Sequence, residues 1–377
     1  MKAEQRAWRQ GQGWVPLGRA GPGRASIVFV FGATDLLADG ARLAELRELY
    51  PDAPLIGCST AGEIRGAEVA DDSVVATAVW FDRTRAVIRE VDVADASASR
   101  AAGERLAASF EAEGLSHVMV FSEGLAVNGS ELVEGMTRFL PAGVAVTGGL
   151  AGDGARFSKT LVIADRAPRG GIVAAVGLYG KGLVVGYGSL GGWDPFGPER
   201  VITRSKGNVL YELDRQPALA LYKKYLGEHA KDLPASGLLF PLSVRTQDGR
   251  TFVRTILGVD EATQSLTFAG DMPIGAYGRL MKANFDRLVD GAHEAAATSR
   301  ASLGTTEPAL ALLISCVGRK LVLGQRTAEE VDAVRSIVGP DAILAGFYSY
   351  GEICPAAPNA NCELHNQTMT ITTLAET

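Results

Sequence analysis

The chain has 377 residues, 47% of them hydrophobic and 21% charged, with a net charge of −6 and no dense Lys/Arg run. That length and apolar content predict two domains with real cores and exclude a disordered chain, and the acidic balance excludes a nucleic-acid or anionic-membrane footprint. Four scattered cysteines (Cys58, Cys316, Cys354, Cys362) make no disulfide framework, no apolar run reaches the roughly 20 residues of a spanning helix, and residues 1–24 lack a signal-peptide core, so a cytoplasmic protein without membrane insertion is expected.

Residues 1–24 show no clear periodicity and read as an arm. Ile27 to Gly32 is an apolar, β-rich run, followed by a helical stretch over 41–49 with Leu43, Leu46 and Leu49 at threefold spacing. Leu55-Ile56 is a second strand and ends in Gly57-Cys58-Ser59-Thr60-Ala61-Gly62-Glu63-Ile64. Two β-rich runs, 73–81 and 86–91, flank Asp82 to Arg85 and predict a hairpin. The strand–helix–strand pattern returns at 117–121, 130–139 and 144–146, and runs into Thr147-Gly148-Gly149-Leu150-Ala151-Gly152-Asp153. A second hairpin is predicted from 172–179 and 183–187 through Gly180-Lys181-Gly182. A glycine-rich loop over 188–197 precedes a helix over 217–229 with Pro in its first turn. Strands are predicted at 251–258 and 265–268, and a long helix at 279–300. The third unit has strand 311–315, helix 328–338 and strand 343–345. It ends in Gly346-Phe347-Tyr348-Ser349-Tyr350-Gly351-Glu352-Ile353, and a last strand covers 368–374.

Strand–helix–strand units favour parallel pairing through right-handed crossovers. The expected fold is mixed α/β: repeated strand-helix-strand units building mixed sheets covered by helices, in two related halves. The boundaries read as 1–24 for the arm, 25–213 and 214–377. Two loops share the pattern G-x-x-x-x-G-E-I. If Gly152-Asp153 is aligned with Gly62-Glu63, a third copy appears with Asp for Glu and Thr147 in place of the first glycine.

Gly57-x4-Gly62 has P-loop glycine spacing, but Glu63 stands where Lys is required, and a carboxylate would repel phosphate. Gly57 to Ala61 is one glycine short of a nucleophile elbow. A hydrolase using Cys58 or Ser59 would also need one of His117, His229, His293 and His365 brought close by folding, and none sits in a diagnostic motif. Cys354, Cys362 and His365 have a spacing that matches no standard zinc pattern, so no metal is expected. No C-x-x-C-H haem attachment site is present, which leaves non-covalent haem on a histidine open. Glu63 and Glu352 could ligate a cation, cap backbone amides or hold a ligand ammonium. Tyr348 and Tyr350 share a strand face, as packing or as a pocket wall.

Six stretches in order, Leu55 to Ile64, Phe121 to Leu125 with Asn128-Gly129, Thr147 to Asp153, Ile314 to Arg319, Gly346 to Ile353 and Leu364 to Thr370, resemble the FIST family of sensory modules. The resemblance covers about 25–375, both the N- and C-terminal modules. It implies a bacterial-type sensor rather than an enzyme, binding a small ligand with amino acids the proposed class. Some members resemble haem-based nitric oxide sensors acting on a histidine kinase, so haem is the alternative to a cofactor-free protein. The expected partner is a separate histidine kinase or cyclic-nucleotide signalling protein. The ligand site is inferred from the loops: Cys58, Ser59, Thr60, Gly62, Glu63, Asn128, Gly148, Gly149, Asp153, Cys316, Arg319, Tyr348, Tyr350, Glu352, His365 and Asn366. Backbone amides or Arg319 would take a carboxylate, and Glu63, Asp153 or Glu352 an ammonium.

Overall fold

The computed structural model describes residues 1–18, 21, 23–356 and 360–377. Arg19, Ala20 and Pro22 of the expected arm lie outside the described residues. The fold is mixed α+β, and three of its sheets are built to one plan.

Each of those sheets has a first strand paired in parallel with a second, a third strand antiparallel to the first, and an outer strand antiparallel to the third. In the first unit these are Ile27–Gly32, Leu55–Ser59, Ser73–Trp80 and Lys2–Arg9. In the second unit they are Leu115–Ser122, Ala145–Leu150, Ile172–Tyr179 and Arg85–Asp92. In the third unit they are Leu310–Cys316, Ile343–Ser349, Met369–Glu376 and Leu183–Leu190. Thus there are three related units rather than two halves, and much of the expected arm is strand in the first sheet, with Gly13–Gly18 beyond it.

A fifth strand in each sheet is borrowed. Glu63–Arg65 leaves the first unit and pairs with Ile343–Ser349 of the third. Gly351–Pro355 leaves the third and pairs with Ala145–Leu150 of the second. Val162–Ala164 leaves the second and pairs with Leu55–Ser59 of the first. The exchange closes into a ring, so no unit completes its sheet alone.

The alternation along each first strand explains the layers. Val28 and Val30 face the helices Thr34–Ala38 and Ala41–Leu49 with Leu37, Leu43 and Leu46. Ile27, Phe29 and Phe31 face inward and share one apolar cluster with Met119 and Phe121 of the second sheet and Leu312, Ile314 and Phe347 of the third. The helices Ser99–Ala108 and Gly129–Phe139 cover the second sheet through Leu106, Leu132 and Met136. Phe285–Ala301 and Thr327–Val338 pack on the third.

Both predicted hairpins are corrected. Ser73–Trp80 and Arg85–Asp92 do not pair with each other, nor do Ile172–Tyr179 and Leu183–Leu190. Each short turn carries the chain from one sheet to the next. The first turn is held by Glu376, whose carboxylate accepts the amides of Asp82, Arg83 and Thr84. The predicted helix over 279–300 is also corrected at its start. Tyr277–Ala283 is strand, and the helix begins after Asn284, whose side chain accepts the Arg287 amide as N-cap.

Between Leu183–Leu190 and Phe285–Ala301 lies an insertion absent from the other units. It folds as a nine-stranded sheet with its own core around Leu210, Tyr222, Val244 and Phe268. Asp214, where the sequence reading divides the chain, sits in a turn of this sheet between Val209–Leu213 and Gln216–Pro217.

Candidate functional site

The glycine-and-acid loops lie where the three units exchange strands. Gly57, Gly148 and Gly346 stand opposite Val30, Val120 and Leu313 in the parallel pairs. A Cβ at any of them would come within 1.8, 1.9 and 1.8 Å of those residues' carbonyl oxygens. The equivalent of Gly57 is therefore Gly148, not Thr147, and the middle copy is one residue shorter.

The two glutamates make the same set of bonds. One oxygen of Glu63 accepts the amide and hydroxyl of Ser73, at the start of the third strand, and the other shares a hydrogen bond with the Thr60 hydroxyl. One oxygen of Glu352 accepts the amide and hydroxyl of Thr368, and the other bonds Ser349 at 2.6 Å. Both side chains are buried, and burial raises their pKa values to about 7 and about 8. Asp153 accepts the Ser158 amide and hydroxyl and the Lys159 amide, and Tyr350 donates its hydroxyl to it. These carboxyls tie each loop to neighbouring strands.

The centre of the ring is filled. The rings of Phe31, Phe121 and Phe347 meet with centroids 5.6, 4.7 and 6.3 Å apart. Gly149 leaves room for Ile314, whose Cγ2 would stand 2.8 Å from an added Cβ. Cys58 belongs to this apolar cluster, and burial pushes its thiol pKa up.

The other expected site residues are placed as follows. Ser59 Oγ donates to the Gly152 carbonyl and accepts the Leu161 amide. The backbone of Gly62 bonds that of Tyr348. Tyr348 donates to Glu330 at 2.6 Å, and Arg319 is a buried ion pair with the same Glu330 at 2.8 Å that also donates to the Gly191 and Leu288 carbonyls. Cys316 is wholly buried. His117 bonds Thr147 at 2.9 Å, and burial lowers its pKa to about 3. His229 packs on Phe240, and His365 shares a hydrogen bond with the Cys354 carbonyl. Among the described residues no hydrogen bond joins Cys58 or Ser59 to a histidine, which is what a nucleophile–base pair would need.

Asn128, His365 and Asn366 come together elsewhere, at the junction of the second unit with the insertion. Asn128 caps Gly129–Phe139 by accepting the amides of Ser130 and Glu131, and donates across the junction to Asp271 at 2.6 Å. Asn366 accepts the Thr255 amide of the insertion. Beside them opens a cavity of about 400 Å³ between this helix, strand Thr251–Arg254 and strand Cys362–His365. Phe252, Val133 and Leu364 form its apolar walls, Ser130 and Thr137 offer hydroxyls, and Arg250, Arg254, Glu134 and Glu363 bring charge.

Arg254 is the unusual member. It is 5% exposed, yet its partners are the carbonyls of Asp271, Val253 and Leu364 and the Ser130 hydroxyl, none of them a carboxylate. Its guanidinium also lies 4.1 Å from the Phe252 ring. Burial lowers its pKa to about 10, with partial compensation from Asp271 and Glu363. A guanidinium has five N–H groups, so one Nη2 hydrogen remains for a ligand. Glu134 is held by Arg100, whereas Glu363 makes no salt bridge among the described residues. No histidine is among the residues that line the cavity. Neither Arg254 nor Phe252 belongs to a sequence motif. The usable signals were Asn128-Gly129 and Leu364 to Asn366, which pointed to the segments that meet here.

No curated protein matches the chain. A model of the FIST N domain matches residues 26–216, and a model of the FIST C domain matches residues 218–355. The two meet within the nine-stranded sheet, so the modules share the insertion that walls the cavity. The chain belongs to the FIST family, whose domains are sensory and signal-transduction modules.

Proposed function

We propose that the chain senses an amino acid or related small carboxylic acid in the junction cavity and signals through a separate protein. The observation that carries this reading is Arg254, a buried cation with no carboxylate partner. Such a charge is costly to bury unless something pairs with it, and an anionic ligand would do so. The free Nη2 hydrogen and the Ser130 hydroxyl are placed for a carboxylate. Glu363 suits an α-ammonium on the other side, and Phe252, Val133 and Leu364 suit a short side chain. The volume falls within the usual range for small-ligand sites.

Signalling follows from position. The ligand would touch the second unit, the third unit's Cys362–His365 strand and the insertion at once. Binding would favour one setting of the insertion against the three-unit body. That change would be read by a histidine kinase or a cyclic-nucleotide signalling protein. Asn128 and Asn366 would support this site by bonding the insertion at Asp271 and Thr255 beside the cavity, whereas Glu63 and Glu352 act as locks. A thermal-shift screen of amino acids and small acids at millimolar concentration tests the reading. At about a hundredfold excess over Kd, a ligand stabilises by about 2.7 kcal/mol. A flat screen counts against it.

A further inference from the structure

The second unit's outer strand, Arg85–Asp92, is a sheet edge with an open side. Among the described residues it pairs only with Ile172–Tyr179. The Val93 amide bonds the Gly171 carbonyl. In this register the odd-numbered residues carry the ladder, and Ala86, Ile88 and Glu90 point their amides and carbonyls the other way. Two side chains agree with that direction: Arg89 donates to the Ile88 carbonyl at 3.1 Å and Arg105 to the Asp92 carbonyl at 3.0 Å. The open side borders a groove of about 410 Å³, whose other wall includes Pro54 and Ala164 of the first sheet.

The first unit shows what such a side accepts. Its outer strand, Lys2–Arg9, holds the same place in the plan, and its free side carries Gly13–Gly18 as an added antiparallel strand. That strand reaches the segment which the first unit lends to the third sheet, since a Cβ at Gly66 would stand 3.3 Å from Leu17 Cδ2. The groove beside Arg85–Asp92 occupies the equivalent slot, between an outer strand and the strand Val162–Ala164 that the same unit lends. Glu4, Gln5 and Ala7 are buried in the covered strand, whereas no residue of Arg85–Asp92 is. Ala86 and Ile88 are only half-buried against the inner apolar cluster. Arg89 is exposed and donates to two carbonyls, those of Ser109 and Ile88, with no carboxylate partner among the described residues.

We propose that this edge docks an extended segment of a partner protein, apolar on alternate residues and bearing an acidic residue for Arg89. The segment adds a strand to the second sheet as Gly13–Gly18 does to the first. The proposal stands independently of any ligand in the junction cavity. The probe is a blocked, fluorescein-labelled heptapeptide alternating valine and threonine around a central glutamate, titrated onto the intact chain by fluorescence anisotropy. Saturable binding below about 1 mM is expected, with slower hydrogen exchange over residues 85–92. The same peptide with its backbone amides N-methylated should bind at least about tenfold more weakly. Ile88→Pro removes an open-side amide and no ladder bond, and should also weaken binding at least about tenfold. Arg89→Glu should weaken it severalfold and turn the preference toward a lysine-centred peptide. The proposal is overturned if no saturable binding appears up to about 1 mM, if the N-methylated peptide binds equally well, or if Ile88→Pro and Arg89→Glu both bind as the parent does. A dimer of the chain that Ile88→Pro dissolves would give the edge to a second copy and overturn it too. Arg89 is exposed, so Arg89→Glu keeps the test decisive should Ile88→Pro fail to fold.

Discussion

At the scale of single residues, Glu63 and Glu352 show what a buried carboxyl does to stability. Burial raises their pKa values from 4.5 to about 7 and about 8. The folded state therefore holds protons that the unfolded state has released. The resulting stability is fully present below about pH 4.5 and is lost as pH rises through 7 and 8. Each pKa unit is worth about 1.4 kcal/mol, so the loss between pH 5 and pH 8 is on the order of a few kcal/mol. Glu376 acts in the opposite sense. Its burial is outweighed by donation from the Thr84 hydroxyl and the amides of Asp82, Arg83 and Thr84, and its pKa falls to about 2, so its contribution fades as pH drops below about 4.5. Glutamine mimics the protonated acid: its oxygen can accept from Ser73 or Thr368 while its NH2 donates to Thr60 or Ser349. Urea unfolding of Glu63→Gln/Glu352→Gln should then show a flatter profile from pH 5 to pH 8 than the parent. An equally steep profile would remove these two groups as its cause. Gly346→Ala, with a Cβ 1.8 Å from the Leu313 carbonyl, should cost at least about 3 kcal/mol in the same assay.

At the scale of elements, the strand–helix–strand units were legible because their first strands are apolar runs and their helices carry spaced apolar residues, Leu43, Leu46 and Leu49 in the first and Val331, Val334 and Val338 in the third. Ile27–Gly32 and Leu310–Cys316 are buried along their whole length. The two hairpins were misread because a short polar turn between β-rich runs looks the same whether the strands pair or part. What separates them lies far away in sequence: Glu376 binds the first turn, and Gly114 accepts the Gly180 amide at the second. The strand exchange was invisible for the same reason. Glu63–Arg65 finds its partner across more than half the chain, and no local pattern encodes that. The repeated loop was read correctly as a repeat, but its glycines answer to the neighbouring strand's carbonyl. The Arg254 site was not legible either, because an arginine ending a short strand looks solvated until Ser130 and Leu364 are folded over it.

At the scale of the molecule, the ring of borrowed strands makes the family-model boundaries poor cutting points. Residues 26–216 alone would lack the Gly351–Pro355 strand of the second sheet and the Ile343–Ser349 partner of Glu63–Arg65. That fragment would also expose the inward faces of Phe31 and Phe121, which pack on Phe347. It should bind a hydrophobic dye and be cleared rapidly by protease, whereas a compact, resistant fragment would show that the exchange is dispensable. On the proposed reading, the ring of exchanged strands is the fixed part of the sensor and the insertion is the part that answers a ligand at its edge. The central claim is that Arg254 waits for an anion, and the direct measurement is calorimetry of the best ligand from the screen on the parent and on Arg254→Met. A buried charge-assisted contact is worth roughly 1.5–3 kcal/mol, so binding should weaken by at least about tenfold in Arg254→Met. Equal affinity in the two proteins would contradict the account.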